Sequence, residues 1–163
     1  MGVGKTTVGL ALANQLGWPL SDSDAAITER HGATVRELQL RLGTDGMHRL
    51  ESEHLLDALA SETPSVICAA ASTIDAPECR RALRSRDIFV VWLRGSAHLL
   101  AGRFAGGPHR PVLATDTEAL FRAQQASRSR RFAEVADLQV DIEGRPAEEI
   151  VAVIRRALDR GAI

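Results

Sequence analysis

Gly2 and Gly4, followed at once by Lys5, Thr6 and Thr7, constrain this chain more than any other feature. Gly4-Lys5-Thr6 fills the last three positions of the pattern G-x-x-x-x-G-K-[ST]. In that pattern the backbone N–H groups of a glycine-rich turn converge on phosphate oxygens. The turn works where a helix starts directly behind it, because the helix N-terminus adds unpaired N–H groups and partial positive charge. Residues 7–16 (TVGLALANQL) meet that requirement: Val8, Leu10, Leu12 and Leu16 are apolar, and Gly17 is placed to end the helix. Gly2, Gly4, Lys5, Thr6 and Thr7 are therefore candidate nucleotide-binding residues. Lys5 would reach the β- and γ-phosphates of ATP, and Thr6 would ligate Mg²⁺. The bland alternative is an ordinary helix that happens to follow Gly-Lys-Thr, and the loop-then-helix context weighs against it.

Strand-like and helical runs alternate along the rest of the chain. Residues 18–21, 65–71 (SVICAAA), 87–93 (DIFVVWL) and 138–142 read as strands. Residues 24–31, 34–42, 46–61, 76–84, 96–104, 117–134 and 146–160 read as helices. Strands separated by helices require βαβ crossovers, hence a parallel sheet between helical layers: an α/β, three-layer αβα fold. In such sheets ligands sit at the carboxyl ends of the strands. Asp22-Ser23-Asp24, Ala71-Ser72 and Arg94-Gly95 fall at those ends. No repeat, low-complexity stretch or linker divides residues 1–163, so one domain is expected.

Composition excludes more than it selects. With 45% hydrophobic and 25% charged residues the chain is a globular one, and its net charge of −1 gives no footprint for nucleic acid or an anionic membrane. No apolar run approaches the roughly 20 residues of a membrane span. Cys68 and Cys79 make neither a C-x-x-C pair nor a disulfide framework, which suits a reducing cytoplasm.

Asp22 and Asp24 stand two apart at a strand end, and in extended backbone both carboxylates would point the same way. One would support Mg²⁺ and the other would accept a proton from a substrate hydroxyl. The alternative is that Asp24 caps the next helix. Gly106-Gly107-Pro108-His109-Arg110-Pro111 reads as a lid, at about 105–116, that brings Arg110 to the transferred phosphoryl group. In Arg128-Ser129-Arg130-Arg131 not all three arginines can share one helix face; one would turn into the cleft and the rest stay in water. His48, Glu51 and His54 recur every third residue without the H-E-x-x-H geometry that fixes zinc, so a metal reading is set aside.

From the Gly-Lys-Thr-Thr loop to the last helix the chain resembles the shikimate kinases, small P-loop kinases of the nucleoside-monophosphate-kinase fold. The stretch GKTTVGLALANQLGWPLSDSDAAI is similar to that family's loop, first helix and Asp-x-Asp strand end. Gly43-Thr44-Asp45-Gly46 with Leu50-Glu51, and Arg110-Pro111-Val112-Leu113, are similar to two further family segments. The resemblance implies ATP and Mg²⁺, a small hydroxy-acid substrate, and a monomer. It implies Asp24 as base and hydroxyl ligand, Asp22 as Mg²⁺ support, and Arg103 near adenine. Arg110 would meet the γ-phosphate, Arg128 would grip the substrate carboxylate, and Glu51 would orient a substrate-side neighbour. It also implies a sheet ordered 2-3-1-4-5. The strand that feeds the loop, first in sequence and central in that order, would fall ahead of Met1. The expectation is a gap between the 65–71 and 87–93 strands and a phosphate loop lacking its first arm.

Three departures cluster on the acceptor side. His48 stands where the family has a carboxylate-binding arginine, and an imidazole cannot make a bidentate fork. Ala70-Ala71-Ser72 replaces a Gly-Gly-Gly, and Met47 replaces an aromatic wall residue. The substrate pocket is therefore expected at His48, Glu51, Ala70, Ala71 and Arg128, with an altered grip. The reading is a shikimate-kinase-like phosphotransferase. Its rivals are a gluconate-kinase-like sugar-acid kinase and a nucleotide-binding protein without catalysis.

Overall fold

Helix boundaries follow local signals closely. The computed structural model describes residues 2–104 and 116–161. Helix α1 (Lys5–Leu16) begins after Gly4 and stops at Gly17, both left-handed at φ 87° and 67°, a conformation that costs other residues strain. Asp22 caps α2 (Ser23–His31): its carboxylate accepts the N–H groups of Asp24 and Ala25. Helix α3 (Val35–Leu59) opens with a capping box between Thr34 and Glu37. Gly43, at φ 70° and ψ −177°, kinks it, so the runs predicted over 34–42 and 46–61 form one bent element.

Four short strands alternate with the helices. They are β1 (Leu20–Asp22), β2 (Val66–Cys68), β3 (Val91–Arg94) and β4 (Leu138–Asp141). The remaining elements are a 3₁₀ turn (Ala71–Asp75), α4 (Pro77–Ala82), α5 (Ala97–Phe104), α6 (Thr117–Val135) and α7 (Ala147–Asp159). β1 pairs with β2 in parallel, Leu20 opposite Val66, and β3 pairs with β4 in parallel, Val91 opposite Leu138. Among the described residues no ladder joins β2 to β3. The sheet is split between the two runs where the sequence predicts a gap. No described helix is long and apolar enough to cross a membrane.

The strands are shorter than the apolar runs that contain them. The 65–71 run leaves the ladder after Cys68, because Thr73 bonds back to the Ala70 carbonyl through its N–H and its hydroxyl and so closes the 3₁₀ turn. The 87–93 run joins a ladder only at Val91. Val90 just before it is satisfied irregularly, its N–H by the Asp137 carboxylate and its carbonyl by the N–H groups of Asp137 and Leu138. Leu10, expected on the buried side of α1, is 50% exposed; the buried face is Val8, Gly9, Leu12 and Ala13.

One apolar cluster spans the split. Val8 and Leu12 of α1 pack with Val140 and Ile142 at β4 and with Ile150, Val151 and Ile154 of α7. Val66 of β2 and Val91 and Leu93 of β3 lie against it. Full burial of each such side chain contributes about 1.5–3 kcal/mol. Helix α1 also presses on β2: a Cβ at Gly9 would come within 2.3 Å of Cys68 Sγ. On the other flank α6 is held to β3 by stacked Trp92 and Phe132 rings 5.3 Å apart, and by a hydrogen bond from Gln125 Nε2 to the Gly95 carbonyl.

Candidate active site

The N-terminus of α1 is open to an anion. It has no side-chain cap and no acidic residue in its first turn, so Lys5, Thr6 and Thr7 present N–H groups that no carboxylate of the helix neutralises. Gly2, at φ 74°, lies against α5; a Cβ there would meet the Leu100 carbonyl oxygen at 3.0 Å and Arg103 Cβ at 3.6 Å. Arg103 is thereby placed beside the loop, on the last turn of α5. The Thr6 hydroxyl donates to Asp22 Oδ2 at 2.7 Å, while Asp22 Oδ1 accepts the α2 N–H groups. One carboxylate thus ties the phosphate loop to the end of β1. A hydroxyl beside a carboxylate is a hard-oxygen set, which suits Mg²⁺.

Asp24 is not the cap of α2, and it does not share extended backbone with Asp22. It lies inside the helix, so the alternation argument for their common direction does not apply. The residue is exposed, yet neighbouring protein partly desolvates its carboxylate. That desolvation raises its carboxyl above the usual value, against the pull of Lys5 and with some help from Asp22. Glu51 on α3 behaves alike: burial raises it, while a short hydrogen bond from the Ser72 hydroxyl and the charge of His48 oppose the rise. Asp24 raises Glu51 further and Lys5 lowers it, so the charges of Lys5, Asp24 and Glu51 act on one another. Ala70 and Ala71 start the 3₁₀ turn that carries Ser72. Cys68, whose thiol donates to the Lys5 carbonyl at 3.2 Å, is pushed up to about 11 by burial, then by Asp22. It therefore stays a thiol.

Arg128 is engaged by a residue that sequence reasoning missed. Its Nε donates to Asp75 Oδ2 at 2.8 Å, and Arg131 Nη1 donates to Oδ1 at 2.8 Å. Arg130 points away to Glu134. Only Arg128, 14% exposed, turns inward as expected; Arg131, 44% exposed, reaches the same carboxylate from the solvent side, because residues three apart on α6 share a face. Burial alone would raise the Asp75 carboxyl, but the bonds and charges of Arg128 and then Arg131 outweigh it and hold it below the ordinary range. No spacing rule links residues 53 apart, and nothing in the sequence around Asp75 singles it out. Asp75, His48 and Ser72 line a cleft of about 330 Å³ between α3 and the 3₁₀ turn. Arg110 and the lid expected at about 105–116 lie outside the described residues except for residue 116, where Asp116 caps α6.

Comparison with known proteins gives a consistent result. A sequence model of the family described as shikimate kinase matches residues 1–159. The shikimate kinase of Geobacter sulfurreducens is 34% identical over 155 residues, covering 94% of this chain and 84% of that protein. Among solved structures, shikimate kinase from Acinetobacter baumannii in complex with shikimate aligns with a TM-score of 0.85 at 26% identity, over 99% of this chain and 90% of that one. A gluconokinase from Sinorhizobium meliloti 1021 aligns at 0.65 and 25% identity, over 99% of this chain and 89% of that one.

Proposed function

The chain belongs to the shikimate kinase family, and from that premise we propose that it transfers the γ-phosphoryl group of ATP to a hydroxyl of shikimate. The observation that carries the reading is the Thr6–Asp22 bond. It holds the anion-binding start of α1 against the strand end that leads to Asp24, so donor phosphates and acceptor hydroxyl meet at one sheet edge.

The α1 N–H groups and Lys5 receive the phosphates, and Lys5 balances charge as it builds on the transferred group. Thr6 and Asp22 would hold Mg²⁺, which neutralises phosphate charge when bound. Asp24 accepts the proton of the acceptor hydroxyl at a carboxylate oxygen. Desolvation raises its carboxyl, which makes its carboxylate a better proton acceptor than that of an ordinary aspartate. Glu51 holds Ser72, which lines the cleft beside Asp75. Arg128 is the cation on the acceptor side.

A coupled assay of ADP release with shikimate, gluconate and no acceptor tests this. Turnover with shikimate is expected. Faster turnover with gluconate would move the acceptor to a sugar acid, a reading that the weaker match to gluconokinase does not favour. ATP binding with no turnover of either acid would leave a nucleotide-binding protein without catalysis.

A further inference from the structure

We propose that Asp75 is a specificity-determining residue: its carboxylate takes the face of Arg128 that an acceptor's own carboxylate would need, so this chain holds its acceptor by hydroxyls rather than by charge. The inference rests on the preceding reading that Arg128 is the acceptor-side cation.

The geometry is that of a filled anion site. Arg128 Nε donates to Asp75 Oδ2 at 2.8 Å, and Arg128 Nη2 lies 2.6 Å from the same oxygen. Nε and Nη2 form one edge of the guanidinium, an edge that grips a carboxylate with two parallel N–H groups. Arg131 covers the second oxygen. The Arg128 side chain is only 14% exposed, so water screens this pair less than a surface bridge.

Leaving this position would cost the Asp75 carboxylate its bonds to both Arg128 and Arg131. Arg80 Nη1 donates to the carbonyls of Ile74 and Asp75 at 2.7 and 3.0 Å, and Ile74 is 1% exposed. The backbone of the 3₁₀ turn is therefore held on both sides of the Asp75 Cα, so the carboxylate can leave only by rotating its own side chain. The cleft that Asp75 lines with His48 and Ser72 also exposes Glu53 and Glu78 against Arg49, so it offers no surplus of positive charge. An acceptor carboxylate entering there must either displace Asp75 from a half-enclosed guanidinium or sit beside it as a second anion. Both routes cost binding.

Two acceptors and two variants test the proposal. The unmodified chain is assayed with shikimate and with its methyl ester, which keeps the ring hydroxyls and loses the charge. The acceptor KM should differ by less than about threefold between them. Asp75→Asn keeps the size but removes the competing negative charge, so the Arg128 guanidinium is held less tightly. It should lower the KM for shikimate about tenfold, with kcat within about twofold and the ester KM unchanged. The gain should vanish in Asp75→Asn combined with Arg128→Gln. A larger ester penalty in the unmodified chain would overturn the proposal, because Arg128 would then be exchanging Asp75 for the acceptor. So would a soluble Asp75→Asn variant whose shikimate KM is unchanged or higher. If Asp75→Asn does not fold, the two-acceptor comparison decides alone. If the chain binds ATP but neither turns over nor binds either acceptor, the acceptor reading itself is defeated, and this inference with it.

Discussion

At the scale of single residues, Asp24 joins activity to stability with opposite signs. Its carboxyl is raised by crowding, so the folded state holds the proton to higher pH than the unfolded one. Stability is therefore lost as pH rises from the unfolded value, about 3.9, through the folded one. The same ionised form accepts the acceptor's proton, so kcat should rise over that interval. Asp24→Asn should lower kcat by about 10²–10⁴ and remove the acid limb of the pH–rate profile. It should also melt higher than the unmodified chain at pH 7, a difference that closes below the unfolded value. An undiminished kcat would remove Asp24 from the chemistry. His48→Arg tests the other departure. A guanidinium on the cleft wall should lower the shikimate KM, and an unchanged or higher KM would show that this wall does not meet the carboxylate.

At the scale of elements, the tightest fit is α1 on β2. A methyl at Gly9 would overlap Cys68 Sγ, which itself bonds the first carbonyl of the helix. Gly9→Ala should cost about 1–3 kcal/mol in urea unfolding. It should also raise the KM for ATP more than that for the acceptor, because it tilts the phosphate-binding end. Cys68→Ala in the same chain should recover most of the stability; no recovery would place the strain elsewhere. These elements also show what the sequence could reveal. Gly4 and Gly17 bracket α1 and Gly32 ends α2, because helix ends are local chemistry. Strand lengths were not legible: residues 66–71 and 88–93 are apolar throughout, and only the partner strand decides where pairing stops. The acceptor side was half legible. Asp24 was read from its spacing to Asp22, and Glu51 and Arg128 came with the resemblance, but Asp75 is joined to Arg128 by folding alone.

At the scale of the whole molecule, α1 and α7 replace the ladder that does not run between β2 and β3. Ile154, 2% exposed, belongs to the cluster that α1, β4 and α7 share and that Val66, Val91 and Leu93 border. Ile154→Ala should therefore cost about 2–5 kcal/mol by urea midpoint, with the loss felt on both sides of the split. A loss below about 1 kcal/mol would mean that the cluster is not what joins them. The split has a further consequence in how the molecule opens. A continuous sheet tends to exchange its amide hydrogens as one cooperative unit, whereas two half-sheets joined through side chains can open separately. The amides of β3 and β4 that pair with each other should outlast those of β1 and β2, since α7 covers the former pair. Nucleotide, by gripping α1 at the seam, should slow exchange in both halves together and turn two opening events into one.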